Sequence, residues 1–368
     1  MKKINWKSIV GWGIAALVAG FIVYTNMQEQ KALQETGKKN VYAVLPLTGG
    51  LSYVGQEAQK AIQAHMASKD KSFNVIFIDS QSQTSTALTS LLSKTLNEKE
   101  PIVLSILTSA TSAILSGAPK NSFIFGNYIT SIDEKYKNYQ LLTGELNEVM
   151  SPIKKYLETA PIKKIAVVYI EDDFGLLEAK YLEKNIRSDQ KITQVMPLAP
   201  KSLDTRIEAL KLMKDEPDAI CILGIATIGY TNIIKSLREQ GYKGTIIADY
   251  AFANPHVVRT LKADAEGIIA VTAITDTNAK LDEKNQQVKD TLARVGLRAY
   301  TFPIQIWDTL DLIQYSLDNN LPLTQETYTK MGKWNGISGE VIFPGNGHSL
   351  YPFVLVQYKN GEFVPVEK

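Results

Sequence analysis

From Val41 onward the chain alternates short, nearly uninterrupted apolar runs with segments of helical periodicity. "VYAVL" (41–45) leads to a helix expected over 55–68, with Ala58, Ala61, Ile62 and Met66 on one face. "FNVIFID" (73–79) is followed by a helix near 84–97, and "PIVLSIL" (101–107) by a short one near 111–118, before "SFIFGNY" (122–128). "KIAVVYI" (164–170) precedes a helix near 175–188, "DAICILG" (218–224) one at 228–240, and "GTIIADY" (244–250) closes the series. Strands that are apolar on both faces need helices on both sides, which is the signature of buried parallel sheets. The fold class predicted is therefore α/β: open, doubly wound parallel sheets. The units fall into two series, 41–146 and 147–273, and so into two lobes. The tail differs: a long helix over Tyr300–Asn319 precedes "GEVIFPGNG" and "PFVLVQYKNGEFVPV", which alternate like antiparallel strands.

Two such lobes leave a cleft, and ligands of open α/β sheets bind outside the carboxyl ends of the strands. The strand-to-helix turns are thus the places to read. In the first, "LTGGLSYVGQE" (47–57), the glycines do not fit GxxxxGK[ST] or GxGxxG, so both nucleotide readings fail. The glycines still permit close backbone approach, and Tyr53 can project into the cleft; a plain tight turn is the alternative. The third turn, "LTSATSAIL" (107–115), gathers Thr108, Ser109, Thr111 and Ser112 at a helix start. One hydroxyl suffices for a cap, whereas several hydroxyls and free N–H groups suit a small anion such as a carboxylate. In the fourth, "FGNYITSID" (125–133), Thr130 and the Tyr128 backbone can face the same cleft, or Thr130 can simply cap.

On the second lobe, "YIEDDFG" (169–175) places three acids where a helix N-terminus favours them. "GIATIG" (224–229) and "IADYAFANP" (247–255) end the next strands, and Asp249 with Tyr250 forms a candidate polar pair on that wall. Hydroxyls and aromatics around a cleft with few charges describe a small-molecule binding site rather than a catalytic one. His65, His256 and His348 are far apart, and no HExxH, CxxC or GxSxG pattern occurs; no enzyme activity and no cofactor is implied. The one cysteine, Cys221, forms no intramolecular disulfide and reads as a small core residue. With 40 Lys+Arg against 38 Asp+Glu and no basic stripe, a nucleic-acid partner is not expected.

Before the alternation begins, Lys2, Lys3 and Lys7 precede Ile9–Thr25, seventeen residues without charge. As a helix that is about 25 Å, the short end of what spans a bilayer. Lysines on the N-terminal side predict a cytoplasmic N-terminus (1–8), a transmembrane signal anchor (9–25), a polar tether (26–40) and a body outside the cytoplasm. A cleaved signal peptide with small residues at Ala19 and Gly20 competes. The anchor is favoured because the apolar run continues from Phe21 to Tyr24. Phe21 stands where a lipidated cysteine would be, which excludes lipid anchoring there.

Four segments in order resemble the type I periplasmic substrate-binding proteins of the leucine/isoleucine/valine-binding family. They are "PLTGGLSYVGQEAQKAIQ", "FIDSQSQTSTAL", "KKIAVVYIEDDFGLLEAKYLEKNI" and "WNGISGEVIFPGNGHSLYPFVLVQYKNGEFVPV". Such proteins serve ABC importers of amino acids and related solutes, and the resemblance covers nearly all of 41–368. It implies two lobes joined by hinge crossings near 145–148, 272–275 and 334–338. Lobe 1 would comprise 41–146 plus 274–335, and lobe 2 would comprise 147–273 plus 336–368. The resemblance implies carboxylate binding by Ser109, Thr130 and the Tyr128 backbone, with Tyr53 as the first-turn aromatic. The family's second-lobe acid falls at Tyr250, beside Asp249, and its stacking aromatic is replaced by Ala226 or Thr227. Carboxylate recognition is thus kept better than ammonium recognition. The partners implied are a small ligand, an ABC transporter permease and, through the N-terminal helix, the membrane. A membrane-tethered sensor of the same fold is the alternative.

Overall fold

The computed structural model describes residues 37–366 except 69, 84, 85, 97, 128–131, 133 and 134. The anchor expected at 9–25, with the segment before it and most of the tether, lies outside the described residues. None of the described helices is long and apolar enough to cross a membrane.

The first sheet has five parallel strands in the order β2-β1-β3-β4-β5. They are β1 (Lys39–Leu45), β2 (Phe73–Asp79), β3 (Ile102–Ile106), β4 (Phe123–Asn127) and β5 (Tyr139–Leu141). Helices α1 (Ser52–Ser68), α2 (Thr86–Thr95) and α3 (Thr108–Gly117) connect them. Every residue of β1 after Lys39, and all of β3 and β4, is buried, as continuous apolar runs require.

The chain crosses after Leu142 into α4 (Leu146–Thr159), whose Val149, Met150, Ile153 and Leu157 join the second core. The second sheet has the order β14-β13-β10-β9-β8-β6-β7. Strands β6 (Lys164–Ile170), β7 (Lys191–Leu198), β8 (Ala219–Leu223), β9 (Thr245–Ala248) and β10 (Ile269–Thr272) run parallel. Helices α5 (Asp173–Asn185), α6 (Arg206–Met213), α7 (Ile228–Glu239) and α8 (Pro255–Leu261) lie between them. Cys221 sits fully buried in β8, its thiol pushed up to about 12 by that burial.

After β10 the chain returns through a short 3-10 turn to α9 (Glu283–Arg294) and α10 (Thr301–Asp318), which pack on α1 of the first lobe. Next come α11 (Gln325–Met331) and the ribbon of β11 (Lys333–Asn335) with β12 (Glu340–Ile342). The last crossing was expected at 334–338. Ile342 bridges to Leu350, Gly144 to Ser349, and the Leu141 N–H donates to the Gly347 carbonyl at 2.8 Å. Residues 347–350 thus run beside β5, Gly144 and the ribbon. The chain then enters β13 (Val354–Lys359), antiparallel to β10, and β14 (Glu362–Pro365).

Buried Asp308 on α10 fixes this last passage. It accepts hydrogen bonds from Ile337 N (2.5 Å), Ser338 Oγ (2.6 Å) and the Tyr351 hydroxyl (2.8 Å). Burial nevertheless pushes its carboxyl up to about 6.

Candidate functional site

The carboxyl ends of the two sheets meet, and on each lobe acids collect backbone N–H groups of strand-end turns. On lobe 1, Asp79 at the end of β2 accepts from Leu47 N (2.9 Å), Thr48 N (3.1 Å), Gln81 N (2.8 Å) and Thr48 Oγ1 (2.7 Å). Gln81 and Ser82 take positive φ values of 54° and 58°, and the Ser82 hydroxyl donates to the Thr48 carbonyl. The first turn is thus built against the second. Its Gly55 serves packing rather than a ligand: a Cβ there would lie 2.2 Å from the Pro46 carbonyl oxygen.

Tyr53, on the first turn of α1, is 41% exposed and reaches across the cleft, its hydroxyl donating to the Ala226 carbonyl at 3.4 Å. Leu51, Tyr53, Glu57 and Leu107 of lobe 1 face Ile225 and Ala226 of lobe 2 around a cavity of about 40 Å³. That is room for about one water, so the lobes stand nearly shut at this edge. The Tyr300 hydroxyl donates to Glu57 at 2.5 Å. Burial raises the Glu57 carboxyl above its ordinary range, and raises the Tyr53 phenol, which also feels the Glu57 charge.

Helix α3 begins earlier than the sequence suggests, at Thr108. Leu107 before it has φ 73° and ψ 135°, a costly setting for a branched side chain, and offers no side-chain cap. The first N–H groups of a helix have no intrahelical acceptor, and here they lie at the cleft end of β3. Of the four hydroxyls expected there, Thr111 turns inward instead: it is fully buried and donates to Ser105 Oγ at 2.8 Å. The Ser109 side chain, Tyr128 and Thr130 lie outside the described residues.

The second wall departs from expectation at Asp249. It stands behind the wall rather than on it. Fully buried, it accepts from Gly224 N (2.8 Å), the Tyr230 hydroxyl (2.9 Å) and Ala251 N (3.1 Å). Glu178 of α5, also fully buried, accepts from the same Gly224 N–H at 3.1 Å, and Asp172 accepts from Gly175 N and Ile225 N. The sequence reading missed Glu178, which lies mid-helix with no motif around it. Burial, then the facing Asp249 charge, hold the Glu178 carboxyl well above its usual range; burial raises Asp249 too. Its Oε1 has no hydrogen-bond partner among the described residues, which further disfavours ionisation. Of the two carboxyls, Glu178 is therefore the one whose protonated form the site favours more strongly.

Thr227 caps α7, accepting from Tyr230 N at 3.3 Å, and is half-buried at the cleft edge. Tyr250 is only 8% exposed; its ring lies 5.3 Å from Phe174 and 6.1 Å from Phe353, within the second core. Asp172 caps α5, the role the three-acid run suggested.

The strand ends of two α/β sheets face each other across a cleft. The periplasmic binding protein family matches residues 41–362, and the chain belongs to that family. Solved structures share the fold at low identity. The branched-chain amino acid transporter substrate-binding protein LivJ from Streptococcus pneumoniae, in complex with isoleucine, aligns at 17% identity and TM-score 0.76 over 90% of this chain and 100% of that one. A solute-binding protein from Rhodopseudomonas palustris in complex with 4-hydroxybenzoate aligns at 14% and 0.75 over 90% and 96%. The leucine-binding protein LivK from Thermotoga maritima aligns at 17% and 0.73 over 89% and 98%. No curated protein sequence matches the chain.

Proposed function

We propose that this chain is the solute-binding component of an ABC importer and closes its lobes on a small carboxylate, amino acid or amide. The observation that carries this reading is the Tyr53–Ala226 contact across the cleft, where the strand ends of both lobes converge. Ser109, Thr130 and the Tyr128 backbone hold the carboxylate on lobe 1, beside the uncapped start of α3. Tyr53 and Thr227 close over it, and Tyr250 and Asp249 support the second wall from behind. Isoleucine and 4-hydroxybenzoate, the ligands of two structural relatives, share a carboxylate, and only one has an amine. The burial of Asp249 favours ligands that do not need an ammonium partner there. On lobe 2, Leu203, Ile207 and Leu210 form an exposed apolar stripe beside exposed Ile228, which suits a permease surface. The uncharged Ile9–Thr25 segment tethers the body to the membrane and equally suits a sensor acting through a partner protein.

A thermal-shift screen against amino acids, amides and small carboxylates tests the reading, because a ligand of the folded state raises the melting temperature. Calorimetry on Ser109→Ala combined with Thr130→Val should show binding weakened by roughly 1–3 kcal/mol. Unchanged affinity removes both residues from the site.

A further inference from the structure

A second cavity lies at the opposite pole of lobe 1. It has a volume of about 460 Å³ and opens where β1, β3, β4 and β5 begin, at Lys39, Pro101, Ser122 and Asn138. The solute cleft lies at the other ends of these strands, about 20 Å away along β1 at roughly 3.3 Å per residue. The rim carries Lys39, Lys120 and Lys137 against a single acid, Glu100. None of the three ammonium groups has a hydrogen-bond or ion-pair partner among the described residues. One wall is apolar, formed by Leu317 in the last turn of α10 and by Leu321 and Leu323 after it. Ser122, which also lines the cavity, is 2% exposed, and its hydroxyl has no partner among the described residues. Unpaired cations, an unsatisfied donor and an apolar wall together fit an anion carried on an apolar body.

We infer that this cavity binds the phosphodiester headgroup of an anionic membrane lipid. Lysines neutralise the phosphate, Ser122 donates to it, and the leucine wall takes the glycerol and first methylenes. Position supports the choice. The polar stretch 26–38 enters the fold at Lys39, on the cavity rim. Thirteen residues reach at most about 45 Å when extended, so an anchor at 9–25 keeps this pole near the lipid surface. Seated there, the body presents its cleft away from the bilayer. The orientation rests on the anchor proposed above; the binding itself does not.

The test uses the full chain in neutral detergent micelles. It is titrated with dihexanoyl phosphatidylglycerol, dihexanoyl phosphatidylcholine or inorganic phosphate. Melting temperature and hydrogen exchange at 120–124 and 137–140 are followed. The anionic lipid should raise the melting temperature and protect those amides, while the other two should do neither. Lys39→Gln/Lys120→Gln/Lys137→Gln should weaken the lipid effect roughly a hundred-fold and leave any solute-induced shift intact. An equal response to inorganic phosphate would make this a free-anion site and overturn the lipid assignment. An equal response to phosphatidylcholine, or a lipid response that survives in the triple variant, would overturn the lysine rim as the binding element. No response to any probe would overturn the site. N-terminal sequencing of the membrane-bound protein tests the anchor separately: a sequence beginning after Ala19 or Gly20 would remove the tether and leave the titration unaffected.

Discussion

The two lobes open with the same device, built in different environments. Each begins with a strand, a turn and a helix that carries a glycine against the strand end. In lobe 1 a Cβ on Gly55 would lie 2.2 Å from the Pro46 carbonyl oxygen; in lobe 2 a Cβ on Gly175 would lie 2.6 Å from the Ile170 carbonyl oxygen. Acids then gather the N–H groups of the cleft turns. Asp79 does this at the surface, where water solvates its charge. In lobe 2 Asp249 and Glu178 do so at zero exposure, with Asp172 beside them. Like charges cannot both ionise there, so one proton must be shared. Identical work on the backbone thus comes with different sensitivity to mutation and pH.

The sharpest test compares the two anchors. Asp249→Ala should cost about 3–4 kcal/mol, because Ala251 N and the Tyr230 hydroxyl would lose their buried carboxylate acceptor and Gly224 N would keep only its longer bond to Glu178. Asp79→Ala should cost only about 1–2 kcal/mol, since its N–H partners can turn to water. Equal losses in urea unfolding would break the contrast. The glycines come next. Gly55→Ala should destabilise by about 3 kcal/mol and Gly175→Ala by about 2, as helix and strand are forced apart; a reversed order would deny that the closer approach decides.

Glu178→Gln reads the shared proton. In the native state Glu178 holds its proton to higher pH than in the unfolded chain, where it titrates near 4.3. Folding then binds protons, so this group's contribution to stability falls as pH rises above the ordinary carboxylate range. Glutamine keeps the acceptor for Gly224 and a donor for Asp249 without that penalty. The variant should match the parent at pH 4 and exceed it by about 1 kcal/mol at pH 8, measured as melting temperature against pH. A difference that shrinks with pH would reverse the protonation assigned to the pair. The smallest effect is expected from Tyr53→Phe, which removes one long hydrogen bond across the cleft. Once a ligand is identified, its dissociation should quicken by a few-fold, for about 0.5 kcal/mol lost from the closed form. No change in stopped-flow dissociation would mean that the contact does not hold the lobes together.

Strands buried on both faces announced themselves. β1, β2, β3, β4, β6, β8 and β9 lie within a few residues of the apolar runs that predicted them, because continuous apolar sequence has few other uses. Less legible were β5, only three residues long, and β7, where "KITQVMPL" mixes polar and apolar residues at the sheet edge. Helix α9 was also unmarked, since "EKNQQVKDTLAR" buries only Val288 and Leu292. At the site, Tyr53 and Thr227 could be placed at strand-end turns from the sequence. Asp249 could not be assigned a direction. Neighbours at 178, 224 and 230 turn its carboxyl inward, and nothing in "IADYAFANP" shows them.

The sequence by itself determined the α/β class, the two series of units and the positions of the strand-end turns. Those follow from local periodicity, since burying both faces of a strand demands helices on each side. Only the tertiary structure decided which way the acids face, that Gly55 serves packing against Pro46, and that Leu350 bridges back to Ile342. Each depends on contacts between residues that are not neighbours in the chain, where desolvation and close approach, not local propensity, set the outcome.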